Sequence, residues 1–157
     1  MSKIDIEINC PRLINVGYLI TSPPTKTYNC FAWAAGRTDR WWEPDLQNQY
    51  YWPPEAPREL TKDALSKAFE SLGYFPCENE NYEEEFEKIA IFFKEEEPTH
   101  AARQLDSGKW TSKLGEFEDI EHPTLEALSG YYYGYDIVIL RRLHRNFLTF
   151  LIYFLSI

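Results

Sequence analysis

Cys30 is the residue whose type and position most directly suggest chemistry. It follows Asn29, a natural helix N-cap, and Gly36 ends the same short run, so the pattern predicts a helix with Cys30 in its first turn. Free backbone N–H groups and the positive end of the helix dipole lower the pKa of a thiol in this position. We therefore expect a nucleophilic thiolate at Cys30. Cysteine is also among the most buried residue types, so a packing role is the alternative.

A cysteine nucleophile needs a base that takes its proton, and the chain has three histidines. His100 opens a predicted strand directly after a turn, where a side chain can lean over a neighbouring helix end. His122 precedes Pro123 in an expected loop, and His144 lies in a basic run. The sequence thus favours His100 as the base.

A third polar group usually fixes the orientation of the imidazole. Residues 100–105 and 109–115 flank the turn Asp106–Gly108, which predicts a β-hairpin. A three-residue loop brings Ser112 to the face of His100.

Other groups compete with Ser112 for the third position. A two-residue loop would present Lys113 instead, but an ammonium group cannot accept a hydrogen bond from an imidazole, whereas the Ser112 hydroxyl can. Gln104, on the face of His100, is the fallback, and a water or a backbone carbonyl stays open. The predicted catalytic set is Cys30, His100 and Ser112.

Aromatic and polar side chains near these positions are candidates for a substrate cleft. Tyr28 or Asn29 either contributes to an oxyanion site or only caps and packs. Arg103 either anchors a substrate carboxylate or packs on the sheet, and Trp110 and Lys113 have the same two readings. The residues expected to line the cleft are Tyr28, Asn29, Trp33, Trp41, Trp42, Gln104 and Trp110.

The remaining elements predict one α+β domain spanning residues 1–157. Thr38–Glu59, rich in aromatic residues and proline, reads as a packed loop, and Thr61–Gly73 reads as an amphipathic helix capped by Thr61. Lys88–Phe93 and Tyr135–Leu140 read as strands. Residues 146–157 are strongly apolar but too short to span a bilayer, so we expect a buried terminal strand or a segment that covers a partner.

Charge and cysteine content limit the partners and the compartment. The formal net charge of −9 should repel phosphate backbones, so nucleic acid is not expected as a partner. Three cysteines without a CxxC spacing favour a reducing compartment. The acidic start Met1–Glu7 does not resemble a signal peptide, which favours a cytoplasmic location, with delivery by a non-classical route left open. Zinc on Cys30, His100 and His122 is disfavoured by their spacing, and no cofactor is expected.

The order of these motifs resembles the NlpC/P60-type branch of the papain-like cysteine hydrolases, with a fainter likeness to CHAP amidases. Residues 28–33 look like the cysteine-bearing helix start, Lys88–Phe93 like the strand before the base, and His100–Leu105 like the histidine strand. Gly108–Ser112 takes the place of the strand with the third polar residue, where that branch usually has His, Asn or Gln. The motifs YNCxAWA, HAARQ and WTSKLG also resemble an uncharacterised bacterial family.

The resemblance, which covers about residues 28–115, implies a papain-like fold with the nucleophile helix packed on an antiparallel sheet. It also implies an activity: Cys30 attacks an amide carbonyl of a peptide, an isopeptide or a cell-wall peptide, and His100 acts as base and then as acid. Two alternatives stay open. One is acyl transfer by the same thioester chemistry, and the other is a non-catalytic module that binds a protein through the aromatic loop or the apolar C-terminus.

Overall fold

In the described part of the chain, seven strands form one antiparallel sheet, which five short helices accompany. The computed structural model describes residues 3–157, without the side chain of Ile4. The strands are β1 (Leu19–Ser22), β2 (Phe75–Cys77), β3 (Phe86–Lys94), β4 (Glu97–Gln104), β5 (Trp110–Lys113), β6 (Asp119–His122) and β7 (Asp136–Leu143). The helices are α1 (Lys3–Asn9), α2 (Arg12–Val16), α3 (Cys30–Ala34), α4 (Lys62–Glu70) and α5 (Arg145–Leu155), with a 3₁₀ turn at Glu126–Leu128. The predicted α+β class is confirmed.

The strand order is β1-β6-β5-β4-β3-β7-β2, and all neighbours run antiparallel. The apolar run predicted as a strand lies in β3, which pairs with β4 on one side and with β7 on the other. Both faces of β3 are buried: Ile89 and Ile91 belong to one core cluster, Ala90 and Phe92 to the other. This explains the continuous apolar sequence, since a strand covered on both faces has no solvent side to alternate with.

Each face of the sheet has its own core. The first core contains α3, α4 and Trp42 and Trp52 of the aromatic loop. The second contains residues of α1, α2, the 3₁₀ turn and the buried Trp110. Because successive strand residues point to opposite faces, neighbouring residues of β4 contribute to different cores, Ala101 to the first and Ala102 to the second.

Two local predictions from the sequence are confirmed around the first core. Thr61 caps α4 by accepting a hydrogen bond from the Ala64 backbone N–H at 3.1 Å. Residues 38–59 form a packed loop with an isolated bridge between Trp42 and Tyr51. In this loop the Trp52 indole donates to the Pro57 carbonyl at 2.8 Å, which ties the proline-rich end to its aromatic core.

The predicted buried strand at the C-terminus is wrong. The segment forms the helix α5, in which no residue is buried, and Phe150 and Phe154 are 66% and 64% exposed. The His144 side chain caps this helix by accepting from the Asn146 N–H at 3.3 Å. A helix forms its backbone hydrogen bonds internally. A terminal strand would need a sheet edge to form them. Within residues 3–157, no helix combines the length and the apolar character needed to cross a bilayer.

Candidate functional site

Helix α3 holds Cys30 at its first residue, as the sequence predicts. Asn29 caps it by accepting from the Ala32 N–H at 3.3 Å, and the same side chain accepts from the Trp42 N–H at 3.1 Å and donates to the Trp42 carbonyl at 2.6 Å. The buried amide therefore fixes both the helix start and the entry of the aromatic loop. Of the two readings of Asn29, the structure supports capping, because the oxygen and the amino group are both engaged.

The predicted lowering of the Cys30 pKa is wrong. Cys30 is 8% exposed as a residue, and burial raises the pKa of its thiol to about 11. Backbone hydrogen bonding from Ala101, Phe31 and Cys30 itself and the charge of Lys113 favour the thiolate, but they only partly offset burial. At rest the thiol is therefore protonated.

His100 lies on β4 directly before Ala101, whose backbone favours the Cys30 thiolate. His100 is 1% exposed. Its ring stacks on Tyr133, with 4.3 Å between the ring centroids, and its centroid lies 5.5 Å from that of Phe92. Burial, together with the charge of His122, lowers its pKa to about 3, so the imidazole is neutral. Nε2 has no hydrogen-bond partner among the described residues, which is costly for a buried polar atom.

Cys30 and His100 reach the same cavity. By strand alternation, His100 points to the second core, whereas Cys30 belongs to the first. The sheet is irregular near His100. The ladder between β3 and β4 shifts register between Phe92 and Phe93, and the recorded pairs of β4 with β5 lie further along, at Arg103 and Gln104. The cavity, of about 320 Å³, is lined by Cys30, His100, Thr99, Leu114, Gly115, Phe117, Tyr132 and Tyr133.

The hairpin register is the predicted one, but Ser112 does not bond to His100. The Leu105 N–H donates to the Lys109 carbonyl at 2.8 Å, as a three-residue loop requires. The Ser112 hydroxyl lies 2.8 Å from Nε2 of His122, whose Nδ1 lies 2.9 Å from the Thr124 carbonyl. Since a carbonyl only accepts, Nδ1 carries the proton of neutral His122 and Ser112 donates to Nε2.

The Ser112 hydroxyl, expected to orient His100, is thus engaged by His122 instead. His122 was also expected in a loop, but it ends β6 and is 1% exposed, with its pKa lowered to about 4 by burial. The fallback Gln104 is engaged elsewhere, because its amide donates to the carbonyls of Glu80 and Gly108 at 2.8 and 3.3 Å.

The charge of Lys113 acts on Cys30 and not on His100. Its ammonium group donates to the carbonyls of Thr25 and Gly115 at 2.9 and 2.6 Å and lies 5.2 Å from the centroid of the Tyr28 ring. Burial lowers the pKa of Lys113, while its charge favours the Cys30 thiolate. The contribution of Lys113 is therefore electrostatic and acts on the thiol.

The predicted cleft residues lie outside the cavity of Cys30 and His100. Tyr28 stacks on Trp33 at 5.4 Å and donates to Asp119 at 2.8 Å, and the Trp33 indole donates to Thr111 at 3.1 Å. Trp42 is 3% exposed in the first core. None of the seven, Tyr28, Asn29, Trp33, Trp41, Trp42, Gln104 and Trp110, lines this cavity as the structure describes it.

Sequence reasoning missed the tyrosines that line the cavity. Tyr132 and Tyr133 come from the loop between the 3₁₀ turn and β7, which is closed by two backbone hydrogen bonds between Gly130 and Gly134 at 2.8 and 2.9 Å. The signal was present as three consecutive tyrosines between two glycines.

Metal binding gains no support, because among residues 3–157 no three His, Cys, Asp or Glu side chains are grouped to hold an ion.

Asn29→Ala should destabilise the fold more than the loss of an ordinary cap. The substitution removes the α3 cap and leaves the buried N–H and carbonyl of Trp42 without this partner, which we expect to cost about 2 to 3 kcal/mol. Thr61→Ala is the matched control, because Thr61 only caps α4, and should cost about 1 kcal/mol. Urea denaturation measures both, and equal losses would contradict the clamp on Trp42.

Acid should destabilise the fold through His100 and His122. Their pKa values in the folded chain, about 3 and about 4, lie below the ordinary 6.5, so the unfolded chain binds these protons first. The unfolding free energy is therefore unaffected by the protonation of these two histidines above pH 6.5. Below pH 6.5 it declines by up to about 1.4 kcal/mol per histidine and pH unit. Urea denaturation at several pH values should show this decline, with a shallower slope for His122→Gln. An unfolding free energy that stays constant from about pH 6.5 to 5 would contradict it.

The fold and the site define an α+β domain with a seven-stranded antiparallel sheet and a buried cysteine at a helix start. The chain belongs to a domain family of unknown function, DUF7689, which matches residues 19–141. This range contains α3, β4 and the cavity. No curated protein matches the chain, and no solved structure does.

Proposed function

We propose that this domain is a cysteine hydrolase of papain-like architecture that cleaves an amide bond through a thioester on Cys30. The observation that carries the proposal is that Cys30, at the first residue of α3, and His100, on β4, line one cavity. Nucleophile and base next to one site are the minimum for this chemistry. The order of the motifs, with its likeness to the NlpC/P60-type hydrolases, supports the same reading.

The reaction begins from a neutral pair. His100 takes the proton of the Cys30 thiol while the sulfur attacks the amide carbonyl carbon, and the carbonyl oxygen becomes an oxyanion. The C–N bond then breaks, the amine leaves with the proton held by His100, and the acyl group stays on sulfur. Water, deprotonated by His100, hydrolyses the thioester to a carboxylic acid and restores the thiol.

The surroundings of the sulfur fit this sequence of steps. The backbone groups of Ala101, Phe31 and Cys30 and the charge of Lys113 all favour negative charge on the sulfur. Nε2 of His100 has no hydrogen-bond partner among the described residues, so it is available to accept the proton of the thiol. The pKa values of about 11 and about 3 disfavour an ion pair at rest, so in this proposal the proton is transferred during the attack on the carbonyl carbon.

The same pKa values favour a second candidate, a non-catalytic module that binds a protein. In this reading Cys30 is a packing residue, as its burial favours, and the exposed apolar helix α5 contacts the partner. Acyl transfer differs from hydrolysis only in the acceptor, an amine in place of water.

The test is to assay the wild-type chain and Cys30→Ala against peptide, isopeptide and cell-wall amide substrates, with and without an added amine. The hydrolase reading predicts a free acid product from the wild type and none from Cys30→Ala. An amine adduct would favour transfer. Absence of turnover on all three substrate classes would overturn the enzyme readings in favour of the binding module.

A further inference from the structure

A second cavity lies at the other end of α3, away from Cys30. Its volume is about 270 Å³, and its walls include Ala35, Tyr74, Tyr82, Arg103 and Arg142. Cys30 and His100 are not among the residues that line it. This cavity is independent of the proposed reaction.

Arg103 is the unusual residue in this wall. Its guanidinium stacks on the Trp33 ring, 4.8 Å from the centroid, and Nε donates to the Trp33 carbonyl at 3.3 Å. Within residues 3–157 the two terminal amino groups have no hydrogen-bond partner, and no carboxylate lies within salt-bridge distance. Burial lowers the pKa of Arg103, and the more distant charges of Tyr74, Glu87, Asp119 and Asp106 offset this in part. The side chain is thus held in place with its donor edge unused.

Arg142 lines the same cavity, but its guanidinium has hydrogen-bond partners in the protein. It donates to Glu87 at 2.6 Å and to the Leu72 carbonyl at 2.9 Å, and it stacks on Tyr74 at 4.6 Å. The charge of Glu87 is therefore already compensated. Arg103 is the cation of the cavity that has no anion of its own.

We propose that this cavity binds a carboxylate group through the free edge of Arg103. Two parallel N–H donors in a planar guanidinium match the two oxygens of a carboxylate. The exposed Asp106 also lines the cavity, and its charge disfavours a doubly charged ligand such as phosphate. Tyr74 and Tyr82 supply apolar surface for the rest of the ligand, so a peptide C-terminus or a small organic acid fits the site.

The experiment is an NMR titration that follows the Nε–H resonance of Arg103 in the wild-type chain. The probes are N-acetyl-Ala-Ala with a free carboxylate, the same dipeptide as its C-terminal amide, sodium acetate and inorganic phosphate. We expect a saturable shift with the free dipeptide and none with the amide. If acetate binds as tightly as the dipeptide, the site recognises small organic acids. If the dipeptide binds more tightly, the site recognises peptide C-termini.

Two variants test the role of the guanidinium. Arg103→Lys keeps the charge but not the two-donor edge, and should weaken binding of the dipeptide at least about tenfold. Arg40→Gln is the control and should change nothing, because Arg40 stacks on Tyr51 in the aromatic loop and is not part of the cavity wall. The proposal is overturned if no probe shifts the resonance, if acid and amide bind equally, if phosphate binds more tightly, or if Arg103→Lys binds like the wild type.

Discussion

Cys30→Ala is expected to lower kcat for amide hydrolysis by at least about 1000-fold, and His100→Ala by a similar factor. In the proposed reaction, the first change removes the sulfur that would carry the acyl group. The second removes the acceptor for a thiol proton that burial holds tightly, since the Cys30 pKa is raised to about 11. Initial-rate kinetics on the substrate found in the amide panel measure both effects.

Two variants make this comparison specific. Cys77→Ala removes a half-buried thiol that lies against the Asn79 carbonyl, outside the cavity, and should leave kcat unchanged. His122→Gln removes the buried histidine that bonds to Ser112 but does not line the cavity, and should retain activity within about tenfold. A loss in His122→Gln as large as in His100→Ala, or activity kept in Cys30→Ala, would refute the assigned roles.

Gly134→Ala is expected to destabilise the fold by about 4 kcal/mol or more. Gly134 has φ of +94°, which disfavours any side chain, and a Cβ atom there would overlap the Phe93 carbonyl oxygen of the backbone. The loop that places Tyr133 on His100 closes at this glycine. Urea denaturation measures the loss, and the tyrosine contact with His100 should be disturbed with it.

Gly17→Ala separates the overlap from the cost of a positive φ. Gly17 has φ of +81°, close to that of Gly134, but its Cβ position is open, with no atom within 4 Å. With ψ of 160°, Gly17 lies in a backbone region that is nearly confined to glycine, so this variant should cost about 1 to 3 kcal/mol, less than Gly134→Ala. Equal losses for the two glycines would show that the contact with Phe93 is not what fixes the loop.

Local signals were sufficient for several elements of the fold. Thr61 and the apolar spacing after it predict α4, and the turn Asp106–Gly108 predicts the hairpin and limits it to two registers, of which the three-residue loop is observed. Asn29 predicts the start of α3. In each case the deciding interaction lies within a few residues of the signal, such as the Ala64 N–H bonded to Thr61.

The C-terminal segment shows where such signals fail. A short apolar run gives no clear periodicity, so a strand and a helix cannot be distinguished from it alone. Its apolar character favours a buried strand or a segment that covers a partner, and only the strand is excluded. In the structure α5 satisfies its own backbone and leaves Phe150 and Phe154 exposed.

The chemistry of the site depends on burial, which no short motif reveals. The helix start predicts a low pKa for Cys30, but desolvation in the packed fold outweighs it. Correct register brought Ser112 to the second core, yet its partner there is His122, because β6 is the other neighbour of β5. Tyr132 and Tyr133 come from a distant loop, so their place beside Cys30 is a product of the tertiary fold.

Mass spectrometry after rapid acid quench tests the central claim most directly. If the proposal holds, the wild-type chain, mixed with an excess of an amide that the substrate panel shows to be cleaved, should carry the mass of the acyl group on the peptide that contains Cys30. The adduct should disappear on treatment with hydroxylamine, which cleaves thioesters, and should be absent in Cys30→Ala. Turnover of the substrate by Cys30→Ala, or an acyl group trapped on another residue, would contradict the account.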